Sequence, residues 1–433
     1  MPDHLDGYPL WRLRFDETGS LVGSGGDDLL AEAPGTGITD LFVFSHGWNN
    51  DERMAESLYT RFFEQLAAVA NDQGLTAAIG LAGTLWPSMR WPDEVPAEER
   101  AGGAASLDGG EDDDAAVIEA LRSVYPAPPQ QQALDEVEDL LARQPDDPDA
   151  LERFHALLGV LADAPDVADA DEDGGEHVLL AGTAEAVFDA SADLVPVTRA
   201  EGAAGIGDRM ARLWAGARQA LRQTTYWEMK KRAGIVGVNG LAPLVTKLAE
   251  AAPSLRVHLL GHSFGARLVS YALRGIPDTA KGEDSPVKSL TLLQGAFSHF
   301  AFAPSLPHAA ERAGGLATME RRVDGPVVAT YSTLDLALGD FYPWGSIAGR
   351  DDAAAVEDLL YRWGAIGHDG AQNSGAVDIV TGAPGQKYDF QPGRIHNLDA
   401  NAVIVEGDRP SGAHSDIVHP ELAWMVLAAA GLV

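Results

Sequence analysis

Two rhythms of apolar and polar residues alternate along this chain. Short, unbroken apolar runs bounded by turn-forming residues occur at 39–44 (TDLFVF), 76–83, 257–260, 289–293, 326–332 (PVVATYS) and 400–406. Runs of that length with no polar face predict strands buried on both sides of a parallel sheet. Between them the period lengthens to that of a helix. Residues 51–71 place Leu58, Phe62, Phe63, Leu66 and Val69 on one face, residues 241–251 are also amphipathic, and 423–433 predict a buried terminal helix. Strand and helix patterns in alternation predict an α/β fold with a mostly parallel sheet. Ahead of them, residues 8–24 carry strand-like pieces around Gly19, expected as an edge hairpin, and 25–37 read as a loop rich in Gly, Asp and Ala.

The pattern breaks between residues 94 and 225. Acidic runs appear there (111–114, 146–147, 169–173), separated by alanine-rich helical stretches such as 133–143 and 151–161. The break predicts an acidic, mostly helical insertion, 94–225, in a core formed by 1–93 and 226–433. Within it, Asp169-Ala170-Asp171-Glu172-Asp173-Gly174 matches the first half of a calcium-binding loop, but the twelfth position, which requires a bidentate glutamate, is Leu180. A solvated acidic loop is the expectation, and neither a metal nor another cofactor is expected. A long connection at 340–398, rich in Gly, Asp and Pro, holds Tyr342-Pro343-Trp344 and Gly367-His368-Asp369-Gly370 as candidate pocket residues.

Charge acts by exclusion. With 65 acidic against 31 basic residues the formal charge is −34, which repels nucleic acid and anionic membranes. Such acidity is also a trait of salt-adapted proteins. The chain has no cysteine, so disulfides, thiolate metal sites and a cysteine nucleophile are out. The opening residues carry no leader pattern and the longest apolar stretch, 423–433, is too short to span a bilayer, so a cytoplasmic location is expected.

The sharpest chemical signal is Gly261-His262-Ser263-Phe264-Gly265, directly after the apolar run 257–260 and directly before the helix start 266–273. A G-x-S-x-G pentapeptide between strand and helix is a nucleophile elbow. The turn is so tight that the serine adopts a strained backbone, and the residues two positions away must be small, as Gly261 and Gly265 are. The serine is lifted clear of the sheet at a helix N-terminus, where the backbone favours a developing oxyanion.

The segment resembles the nucleophile elbow of the α/β-hydrolase superfamily, of the serine esterase and lipase type. The resemblance covers about residues 39–93 and 225–433. It implies a mostly parallel, eight-stranded sheet flanked by helices, an insertion acting as a cap over the site, and a triad in the chain order Ser, acid, His. Ser45-His46-Gly47-Trp48-Asn49-Asn50, after the strand at 39–44, is similar to the family's oxyanion loop. Gly47 would supply backbone freedom, the N–H groups of Trp48 and Phe264 would be the oxyanion donors, and His46 would brace the loop through hydrogen bonds. The strand at 289–293 ends without an acid, so the acid is expected after 326–332, at Asp335, with Asp340 as the alternative. The base is expected at His414, between last strand and last helix, with His419 and His396 as alternatives. Trp86-Pro87 adds to the likeness. Trp48, Trp86 and Trp91 are candidates for an acyl pocket and equally for structural roles. His258, on a buried strand, reads as structural, and Lys230-Lys231-Arg232 as partners of the acidic surface rather than of a substrate anion.

These residues lead to one expectation: a serine hydrolase that cleaves a small-molecule or lipid-like carboxylic ester through an acyl-enzyme on Ser263, without a cofactor. A thioesterase, acyltransferase or peptidase would use the same parts. Dehalogenases and epoxide hydrolases of this type carry Asp at the position of Ser263. From another class, the alternative is a hydrolase fold retained as a silent binding or scaffolding module; a complete triad argues against it.

Overall fold

The computed structural model describes residues 2–75, 78–89, 91, 111–162, 182–192, 206–341, 362, 364–407 and 411–433. The calcium-loop-like run 169–174 and the stretch 342–344 lie outside the described residues.

Ten strands form one sheet: β1 (Asp3–Leu5), β2 (Tyr8–Phe15), β3 (Leu21–Val22), β4 (Asp40–Ser45), β5 (Ile79–Leu85), β6 (Arg256–His262), β7 (Val287–Leu293), β8 (Val327–Tyr331), β9 (Val377–Val380) and β10 (Ile395–Asp399). Their order is β1-β2-β5-β4-β6-β7-β8-β10-β9, with β3 paired to β2. Among the described strands only the pairings β1–β2 and β2–β3 are antiparallel. The sheet is therefore α/β and mostly parallel, with ten strands where eight were expected. The expected edge hairpin around Gly19 is β2 and β3, and the two additions sit at the edges, β1 beside β2 and β9 beside β10. They are too short, or too exposed along β9, to leave an apolar run in the sequence.

The last strand is β10, at Ile395–Asp399, not 400–406. The apolar residues at 403–405 close a turn instead, with the Ile404 N–H bonded to the Ala400 carbonyl. β10 escaped the pattern because it buries the polar side chains of His396 and Asn397. The Asn397 Oδ1 accepts from the Ala371 N–H at 2.7 Å and its Nδ2 donates to Asp378 at 3.1 Å. A buried polar side chain with its partners present is tolerated, but it erases the apolar signature.

Helices cover both faces. Strand alternation sends Leu41 and Val43 of β4 into one apolar cluster and Phe42 and Phe44 into another. The second cluster is completed by α2 (Glu52–Asp72) and the terminal α11 (Pro420–Ala429). Asp51 caps α2 by accepting from the Met54 N–H at 2.8 Å. The first cluster takes α1 (Gly25–Thr36), α8 (Ala242–Ala251) and α9 (Phe264–Gly275). α1 occupies a stretch expected as loop, held down by buried Leu29 and Ala33 despite Pro34 within it. α10 (Ile366–Asp369) is a single turn.

In the compositional insertion, the described residues form α3 (Glu111–Val124), α4 (Pro128–Arg143), α5 (Pro148–Ala162), α6 (Ala184–Ala192) and the start of α7 (Ile206–Val236). α7 runs unbroken through position 225 and passes by a π-helical turn, Gly237–Leu241, into α8. Leu134, Phe154 and Trp214 share one apolar cluster with Leu268 of α9, so these helices are packed onto the core.

The Lys-Lys-Arg cluster on α7 does not sit on the surface as expected. Lys230 and Arg232 are buried. Arg232 pairs with Glu228 at 3.6 Å and donates to the carbonyls of Pro87 (3.0 Å) and Val124 (3.3 Å), tying α7 to α3 and to the loop after β5. Among the described residues no helix is long and apolar enough to cross a membrane.

Candidate functional site

In the sheet order the chain turns back between β4 and β6: β5 lies outward from β4, and β7, β8 and β10 lie outward from β6. In open parallel sheets the crevice beyond the carboxyl ends of the strands at such a switch point is where ligands bind. The register aligns Ser45 of β4 with Gly261 of β6, and His262 with Leu293 of β7. The loops leaving β4, β6, β7 and β8 therefore emerge along one edge. They carry Gly47, Ser263, Gln294 and Asp335.

Ser263 has φ 57° and ψ −125°, in a region few non-glycine residues occupy. Its neighbours enforce this conformation. The Ser263 N–H donates to the Leu293 carbonyl, and its own carbonyl accepts from Ala266 and Ala296. A Cβ on Gly261 would lie 2.3 Å from the Gly265 carbonyl oxygen, and one on Gly265 would lie 2.1 Å from that of Ser45. Both flanking positions thus exclude any side chain, as the elbow requires. Phe264 opens α9, so its N–H is one of those that a helix N-terminus leaves unbonded within the helix.

The loop after β4 lies against the serine. A Cβ on Gly47 would approach the Ser263 Cβ to 2.6 Å and its Oγ to 3.0 Å. Close approach, rather than the backbone freedom expected, is what demands glycine here. His46 is buried, and burial holds its imidazole neutral by lowering its pKa to about 4. Its Nδ1–H donates to the Gly47 carbonyl (2.8 Å), and its Nε2 faces the Trp86 N–H (3.4 Å). The Trp86 indole stacks on the ring at 5.4 Å and donates to the His46 carbonyl. The Tyr59 hydroxyl accepts from the His46 N–H at 2.8 Å, and Asn50 donates to the Trp48 carbonyl at 2.8 Å. Trp86 and Trp91 are buried in the core. The Trp48 ring, in contrast, packs against Phe264 (6.2 Å) and Tyr226 of α7 (5.7 Å) beside the serine.

His414 donates from Nδ1 to Asp335 Oδ2 at 2.8 Å. Asp335 is fully buried, and His414 is mostly so. That bond leaves Nε2 as the basic nitrogen of the ring. His414 also meets the residue preceding the serine: His262 Nε2–H donates to the His414 carbonyl at 2.9 Å, with the rings 4.9 Å apart. Burial lowers the His262 pKa to about 3. The other two candidate bases are engaged elsewhere. His419, at the start of α11, contacts Asp416 at 2.7 Å, and the His396 Nε2 accepts from the Gln391 N–H on β10. Asp340 lies in the π-helical turn after Asp335, and its side chain is outside the described residues. His258 bridges Asp40 and Ser289 inside the sheet.

The structure thus sets Gly47 against Ser263 and pairs His414 with Asp335 beside His262, the residue before the serine, with His46 behind the loop. Residues with no motif of their own complete the site. Gln294, which stands where β7 ends without an acid, donates to Asp335 Oδ2 at 3.0 Å. Tyr59 lay among the apolar positions of α2, and only its hydroxyl distinguishes it. Among the described residues no group of three or more His, Asp or Glu side chains is placed to hold a metal ion. Comparison with protein-family models, with curated proteins and with solved structures finds no match to this chain.

Proposed function

We propose that the protein is a serine hydrolase of carboxylic esters with Ser263 as nucleophile, on an α/β-hydrolase type of fold. One observation carries the reading: a serine in a strained, enforced conformation at the switch point of a parallel sheet, with a buried Asp335–His414 pair against the adjoining residue. A purely structural turn has no need of either the strain or the pair.

In this reading His414 Nε2 takes the Ser263 hydroxyl proton as Oγ attacks the ester carbonyl carbon. The tetrahedral oxyanion accepts from the N–H groups of Trp48 and Phe264. Collapse breaks the C–O bond, and the departing alcohol receives the proton from His414. Water, deprotonated by the same imidazole, then attacks the acyl-enzyme and releases the acid. Asp335 holds the tautomer and stabilises the imidazolium. Removing one oxyanion donor typically costs about 100- to 1,000-fold in rate, so His46 and its partners matter through the loop they hold. Trp48, Phe264 and Tyr226 supply an aromatic wall for an acyl or alcohol group, which ties substrate choice to α7.

The test is covalent labelling by a fluorophosphonate, with a chain-length series of p-nitrophenyl esters for the acyl preference. Labelling of the folded protein that disappears in Ser263→Ala supports the reading. A folded protein that resists the probe and hydrolyses none of the esters overturns it in favour of a binding module.

A further inference from the structure

We infer that Gln294 is a positioning residue of the site, its side-chain amide locking Asp335 into the orientation that serves His414. This rests on the serine-hydrolase reading for its catalytic meaning and on the geometry alone for its structural one. Gln294 leaves β7 with φ 47°, a left-handed conformation uncommon outside glycine, and is fully buried. Its amide is saturated. Nε2 donates to Asp335 Oδ2 at 3.0 Å and to the Gly367 carbonyl at 2.9 Å. Oε1 faces the Thr330 hydroxyl at 3.1 Å, and the same hydroxyl accepts from the Gln294 N–H at 3.1 Å.

Turning the amide over would set its oxygen against two acceptors, so the network admits a single orientation. On Asp335, Oδ1 accepts from the Leu338 N–H at 3.1 Å, and Oδ2 is shared between Gln294 and His414. The carboxylate is thereby pinned from the end of β7, the π-helical turn Ala337–Phe341 and the His414 loop. The Gln294 donor also offsets part of the carboxylate charge that the imidazole feels. Among the described residues, Asp335 and the His262 ring are the ionisable groups that face His414, and His46 acts on the His262 ring.

Two variants of the full chain test the inference. Gln294→Glu keeps the shape and places a second carboxyl against Asp335, at most about 6 Å from the His414 Nδ1 by the two contacts that link them. Two buried carboxyls in hydrogen-bond contact share one proton, so the new carboxyl stays protonated, donates to Asp335 Oδ2 in place of the amide and leaves the acid limb of kcat/KM close to that of wild type. Gln294→Met removes the donor without adding charge and moves the limb upward by a few tenths of a unit, with kcat down about tenfold and KM unchanged. The low-field Nδ1–H resonance of His414, followed against pH by NMR, reports the same displacement without needing turnover.

A folded Gln294→Met protein whose acid limb and His414 resonance both match wild type overturns the inference. If Gln294→Glu fails to fold, Gln294→Met decides. Should wild type show no esterase activity while the His414 resonance still responds to Gln294→Met, the serine-hydrolase reading fails and the positioning geometry stands.

Discussion

Gly47→Ala puts the packing of the loop after β4 against Ser263 to a direct test. The substitution adds one methyl group 2.6 Å from the Ser263 Cβ and 3.0 Å from its Oγ. Carbon atoms in contact sit about 3.5–4.0 Å apart, so loop and serine must separate by about 1 Å. Neither gives way easily. Gly47 is tied through its carbonyl to His46, and Ser263 is bonded by its backbone to Leu293, Ala266 and Ala296. The Gly47 backbone is not left-handed, so alanine meets no conformational penalty and the effect is purely steric.

A displacement of about 1 Å between reacting groups costs about 100-fold in rate, equivalent to about 2.7 kcal/mol. Overpacking costs a further 1–3 kcal/mol of stability, roughly. The assay is the second-order rate of fluorophosphonate labelling, run beside kcat/KM on a short p-nitrophenyl ester and urea unfolding. Gly35→Ala is the control. That position, in exposed α1, has nothing within 4 Å of an added Cβ, and alanine there leaves the rate unchanged. A folded Gly47→Ala protein that labels within threefold of wild type would refute the argument, because the contact would then not be what excludes side chains there.

Asp335→Asn preserves shape but presents a donor to His414 Nδ1, favouring the wrong tautomer; kcat falls by about 10⁴ with circular dichroism unchanged, and a loss under tenfold would remove Asp335 from the triad. Stability falls on the acid side. His46 and His262, buried neutral with pKa values of about 4 and 3, take up protons in the unfolded chain from about pH 6.5 downward but not in the native state. Unfolding free energy is thus level above about pH 7 and drops as pH falls toward 4, by about 3 kcal/mol from His46 alone. Urea midpoints across pH 4–8 measure this, and His262→Gln, which keeps a donor for the His414 carbonyl, has a shallower slope. Arg232→Met leaves the half-buried Glu228 with Lys231 as its remaining cation and strands the Pro87 and Val124 carbonyls. It lowers stability by about 3 kcal/mol, and an unchanged urea midpoint would show the buried ion pair to be dispensable.

The geometry of the candidate site was legible where local sterics alone dictate residue type. An elbow needs small residues on both sides of the serine, so Gly261, Ser263 and Gly265 announce themselves in five positions. Continuous apolar runs marked β4, β6, β7 and β8, because a strand covered on both faces has no polar side to show. Residues defined by a partner distant in the chain were not legible. Gln294 is an unremarkable polar residue until β8 places Asp335 3.0 Å away. Only the packed sheet set Asp335 against His414, while His419 met Asp416 and His396 a backbone N–H. Arg232 read as surface charge because nothing local showed that α3 and the loop after β5 would close over it. Short-range sterics and periodicity act within a few residues and leave their mark in the order of amino acids. The pairing of buried polar groups is decided between segments that meet only when the chain has folded.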